Sequence, residues 1–104
     1  MIWRRSRFRE LVERQLDLFE ADTDLLDEAA AADAAWSGAS ADESEERYGE
    51  YQLVVDAIGV ALHDLRETYA ATLEDGTAEE YRADFDRAAR KRFGRLASFL
   101  EEDR

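Results

Sequence analysis

Apolar residues recur along this chain at steps of three and four, the spacing that lines one face of an α-helix. Three stretches carry the pattern. In the first, about residues 4–36, the stripe runs through Phe8, Leu11, Val12, Leu16, Phe19, Leu26, Ala29, Ala30 and Trp36. Residues 20–24 are where it could break, because Asp and Thr can cap a restarted helix. The stripe stays in phase across them, so the pattern predicts one continuous helix. The second stretch, about 41–74, places Tyr48, Tyr51, Val55, Ile58, Leu62, Leu65, Tyr69 and Thr72 at alternating steps without a slip, in the manner of a coiled-coil seam. The third, about 78–101, has Tyr81, Phe85, Ala89, Phe93, Leu96 and Leu100 on one side.

Two turn signals divide these stretches. Gly38 suits the left-handed position after a helix, and Ser40 with Glu43 has the spacing of a capping box. Gly76 is expected to end the second helix, with Thr77 and Glu80 as a second capping box. Short turns make neighbouring helices antiparallel. The expected fold is therefore all-α: a single helical domain over residues 1–104, built as an antiparallel three-helix bundle with long helices and coiled-coil-like packing.

Composition agrees with that pattern and removes several chemistries. No proline interrupts any position, and 45% of the residues are apolar, enough for a thin core at 104 residues. With no cysteine there is no disulfide framework, thiolate chemistry or Cys-ligated metal. The charged start, up to Arg9, has no apolar stretch behind it to read as a signal peptide, and no run reaches the length of a membrane span. A cytoplasmic location is expected. The net charge of −12 argues against nucleic-acid binding, which needs a positive face for phosphates. Arginine outnumbers lysine thirteen to one, Lys91 being the exception, which points to a high-GC genome or a salt-adapted host.

The charge is unevenly distributed: +3 over residues 1–14, −11 over 15–50, −6 over 51–80 and +2 over 81–104. In the expected bundle, Arg4, Arg5, Arg7 and Arg9 come near Glu67, Glu74, Asp75 and Glu79. Arg90, Lys91, Arg92 and Arg95 come level with Asp17, Glu20, Asp22 and Asp24. The third helix should run out near Glu28 and Tyr51, leaving the first two to project roughly ten residues, about 15 Å. That overhang carries Asp27, Glu28, Asp33, Asp42, Glu43, Glu45, Glu46 and Glu50 against Arg47 alone, together with Trp36, Tyr48 and the alanines of 29–32. Two helices by themselves bury a tryptophan poorly. Trp36, Tyr48, Asp33 and Glu45 are thus the candidate partner-binding residues, for a protein partner or a homodimer.

Other constellations are weaker. His63, the only histidine, has Asp64 beside it and Glu67 one turn on, so an oligomer could assemble a carboxylate metal site. The Glu-x-x-His of ferritin-like di-iron centres is absent, because Val60 stands three before His63. Glu43-x-x-Glu46 and Asp64-x-x-Glu67 resemble the acidic magnesium motifs of helical nucleotide pyrophosphohydrolases, but both fall on one helix, some 30 Å apart, where they cannot converge. No serine has the context of a nucleophile elbow, and the five glycines form no phosphate loop. Gly59 and Gly94 read as places of close helix approach. Trp3, Arg4, Arg5, Arg7 and Phe8 could dock on an anionic membrane, although four arginines on so acidic a chain weigh against it.

The stretches Glu46-Arg47-Tyr48-Gly49-Glu50-Tyr51, Leu65-Arg66-Glu67-Thr68-Tyr69-Ala70-Ala71-Thr72-Leu73 and Lys91-Arg92-Phe93 resemble a group of small, acidic, uncharacterised helical proteins from actinobacteria. The resemblance implies a source and brings no activity, cofactor or catalytic residue. The expectation is a non-enzymatic helical protein with no cofactor, no metal and no catalytic residue, working by protein contact or self-association. The alternatives are a ferritin-like or other carboxylate metal protein formed in an oligomer, and a peripheral membrane adaptor led by the Arg-rich start.

Overall fold

The computed structural model describes residues 7–97. They form four α-helices, α1 (Arg9–Asp22), α2 (Leu25–Ser37), α3 (Ser44–Ala70) and α4 (Asp75–Phe93), followed by a 3-10 turn (Gly94–Ala97). No strand occurs among the described residues. The extents are 55 × 29 × 26 Å, an elongated shape.

The continuous first helix expected over 4–36 is two helices. Thr23 leaves the helical region at φ −100° and ψ 145°, and its backbone N–H closes α1 on the Phe19 carbonyl at 3.0 Å. Its hydroxyl then accepts from the Leu25 N–H at 3.1 Å. A threonine side chain that satisfies a backbone donor locally removes the need for the next helical bond, and the helix restarts with Glu28 N–H on Asp24 C=O. The apolar stripe stays in phase across this break because it is only two residues long.

The expected caps also differ. Gly38 has φ −95° and ψ 5°, outside the left-handed region. Ser40 uses its backbone carbonyl, which accepts from the Glu43 N–H at 3.0 Å, and α3 begins at Ser44 without a side-chain cap. At its other end α3 unwinds through bonds from Thr72 and Leu73 to the carbonyls of Tyr69 and Ala70, and the Thr72 hydroxyl donates to the Tyr69 carbonyl at 2.7 Å. Gly76 does not end α3; it is the second residue of α4, whose N-cap is the extended Glu74 rather than a Thr77–Glu80 box. Gly94 is where a glycine is required: φ +58° and ψ −130° end α4, and an added Cβ would meet no atom within 4 Å. Its role is backbone conformation rather than close helix approach. Gly59, by contrast, is buried on α3.

One apolar cluster joins all the elements. Val12 and Leu16 come from α1, Ala29 from α2, Ile58, Leu62 and Ala70 from α3, and Ala78, Tyr81, Phe85 and Ala89 from α4, with Ala97 beyond. Tyr81 and Phe85 are fully buried, which contributes roughly 1.5–3 kcal/mol for each large side chain. Helix α2 packs on α3, α1 on α4, and α3 on α4. The six alanines of α2 let it lie close to its neighbour. Between α1 and α4 the matched residues are Phe8 with Tyr81 and Phe19 with Phe93; between α3 and the last segment they are Tyr69 with Tyr81, Arg66 with Asp86 and Tyr51 with Arg95. The α3 seam is buried in its middle, at Tyr51, Val55, Ile58 and Leu62, and opens at its two ends, Tyr48 and Thr72.

Candidate partner-binding tip

Trp36 sits in the last turn of α2 and Tyr48 in the second turn of α3, so the connection over residues 38–43 brings them face to face. Their ring centroids are 4.7 Å apart, and Trp36 also stacks on Tyr51 at 5.6 Å and 29°. The three rings grade from core to solvent: Tyr51 is buried, Trp36 half-buried and Tyr48 41% exposed. The Tyr48 hydroxyl accepts from Gln52 Nε2 at 3.0 Å, which holds the ring across the helix surface. Aromatic pairs of this kind are worth about 0.5–1.5 kcal/mol beyond burial, so the cluster is held in place by its own contacts.

The charges around it are mostly acidic, with two cations. Arg47 donates to Glu50 at 3.0 Å within α3, and this pair raises the Arg47 pKa. Arg95 was expected level with residues 17–24, but it reaches the tip: its guanidinium lies 5.5 Å over the Tyr51 ring and 3.5 Å from Asp33. Gly94 is the cause, because the turn it permits redirects the chain toward α2. Of the four sequence candidates, Trp36 and Tyr48 touch each other, Asp33 is engaged by Arg95, and Glu45 is exposed in the first turn of α3.

No protein-family description, curated protein or solved structure matches the chain.

The remaining sequence candidates fall elsewhere. His63 Nδ1 is 3.8 Å from the Asp64 carboxylate. Glu67, one turn on, is occupied by arginine: Arg82 donates to both its oxygens at 3.0 Å, and Arg66 donates at 2.8 Å. These hydrogen bonds, Arg82's first, hold the Glu67 carboxyl below the usual range. Among the described residues no three His, Asp or Glu side chains converge as metal ligands. Arg7 pairs with Glu80 at 3.5 Å, and Phe8 packs edge-on against Tyr81 at 5.5 Å, so both face α4; Trp3, Arg4 and Arg5 lie outside the described residues. No helix among the described residues is long and apolar enough to cross a membrane.

One ion cluster was missed by sequence reasoning. Arg66, only 4% exposed, bridges α3 and α4 through Asp86 at 2.8 Å while touching Glu67. Its position was readable, since it stands four residues from both Leu62 and Ala70 on the buried stripe. Arg92 gathers Glu13, Asp17 at 2.8 Å and Glu20 at 3.2 Å, all on α1. The charge layout already sets Arg92 level with Asp17 and Glu20; Glu13 joins them through the packing of α1 on α4, which no local pattern encodes.

Proposed function

We propose that this chain is a non-enzymatic binding protein, an antiparallel helical bundle that acts through the aromatic tip formed by Trp36 and Tyr48. The observation that carries this reading is the graded ring stack: a tryptophan left half-buried beside a 41%-exposed tyrosine, preorganised by its own contacts. Exposed aromatic residues fixed in one geometry lose little entropy on association and are the usual anchors of protein interfaces. Charge sets the kind of contact. Asp42, Glu43, Glu45 and Glu46 stand near these rings in sequence, so two tips brought together repel, whereas a protein partner with a basic surface is attracted.

Sedimentation of wild type and Trp36→Ala at low and high salt tests the reading. Self-association through the tip strengthens as salt screens the acid–acid repulsion and is lost in Trp36→Ala. A chain monomeric at about 100 μM in both salts eliminates the self-contact form and leaves the tip to a different protein.

A further inference from the structure

Arg9 of α1 and Arg87 and Lys91 of α4 are far apart in the chain, yet α1 packs directly on α4. A groove of about 240 Å³ runs along the outer side of that junction, lined in part by Arg9, Glu13, Asp84, Arg87, Ala88 and Lys91. Its carboxylates already have partners. Glu13 pairs with Arg92, and Asp84, 8% exposed, accepts from the Phe8 N–H at 3.2 Å and from Arg87 at 2.9 Å. Two cations do not: among the described residues Arg9 and Lys91 make no hydrogen bond or ion pair. Arg87 stands one helical turn before Lys91, a spacing at which like charges repel, and the nearly buried Asp84 fixes it in the groove wall.

The groove lining thus carries three cations against two carboxylates, and Arg9 and Lys91 are the two left without a partner among the described residues, on a chain of net charge −12. We propose that the α1–α4 groove binds an oxyanion, a phosphate group on a small body, held by Arg9 and Lys91 with Arg87 as the fixed third cation. Arginine offers a fork that matches phosphate oxygens, and lysine offers a point charge. The volume lies below the range of drug-sized pockets, which limits the ligand to a phosphate with a short organic part or to a lipid headgroup. This site is on a different pair of helices from the aromatic tip and stands or falls separately.

Titration calorimetry of the 104-residue chain with inorganic phosphate at low ionic strength tests it, alongside co-sedimentation with phosphatidylcholine vesicles containing phosphatidylglycerol. Arg9→Ala/Lys91→Ala is expected to weaken binding by at least about tenfold, with an unchanged circular dichroism spectrum because Arg9 and Lys91 are exposed. Arg14→Ala, an exposed cation of α1 outside the groove lining, is expected to bind as wild type does. Phosphate heat with that dependence assigns a soluble ligand; vesicle binding with that dependence and no phosphate heat assigns a headgroup. Binding that survives the double substitution, binding that Arg14→Ala weakens equally, or no binding of either probe overturns the proposal.

Discussion

Arg66 of α3 donates to the Asp86 carboxylate of α4 at 2.8 Å, with 5% of the arginine and 14% of the aspartate side chain exposed. A charge so thoroughly removed from water depends on its partners, because an uncompensated buried ion is far costlier than the pair. Asp86→Ala removes this cross-helix partner from a buried guanidinium that also touches Glu67 on its own helix. The expected loss is about 3 kcal/mol in urea unfolding. A loss under about 1 kcal/mol means that the guanidinium reaches water once Asp86 is gone.

The same cluster makes stability depend on acid. Arg82, and then Arg66, lower the Glu67 pKa in the folded chain below its value in the unfolded one. The stabilisation is therefore full above the unfolded pKa, near 4.5, and is lost as pH falls through the folded value. Glu67→Gln should reduce stability at neutral pH and flatten the acid limb of a plot of stability against pH. Parallel limbs for wild type and variant would show that Glu67 does not contribute to the acid dependence.

Tyr81 sets the opposite limit. Burial pushes its phenol up from 10 to about 12, and its hydroxyl donates to Gln15 Oε1 at 2.7 Å. A raised folded pKa leaves the neutral tyrosine fully stabilising below pH 10 and withdraws that stability between about pH 10 and 12. Tyr81→Phe should cost about 0.5–1.5 kcal/mol at neutral pH, through the lost Gln15 contact, and diminish the alkaline loss. Ultraviolet titration of the tyrosinates supplies the direct check: one group should ionise late, near pH 12, in the folded chain.

What was legible in the sequence was the helical nature of the chain and the burial of particular faces. Leu62, Tyr81, Phe85 and Ala89 are buried where the three–four spacing put them, since that spacing follows from helix geometry alone. Helix ends were read poorly. Gly76 has the composition of a stop but lies in the first turn of α4, while Gly94, without a distinctive neighbour, holds the φ of +58° that ends it. Thr23 has the chemistry to break the first helix, but whether its hydroxyl or the helix wins depends on how α1 and α2 pack on different partners. At the tip, the approach of Trp36 to Tyr48 was implied by a short turn. The arrival of Arg95 beside Asp33 was not, because it follows from the redirection at Gly94.

Arg90 offers a substitution with an unusual sign. Its Nη1 is buried and has no hydrogen-bond partner, although the residue as a whole is half-exposed. A buried polar nitrogen without a partner carries a desolvation cost of about 1–3 kcal/mol, which a side chain of similar length without polar hydrogens avoids. Arg90→Met keeps the long unbranched stem and discards the orphan group. It should therefore be neutral or stabilise the fold by about 1 kcal/mol, raising Tm by about 4 °C for a domain of this size. Arg90→Ala, which loses the packing as well, should fall below Arg90→Met. If Arg90→Met instead unfolds several degrees below wild type, the guanidinium has a partner in solution, and charge at position 90 supports the fold.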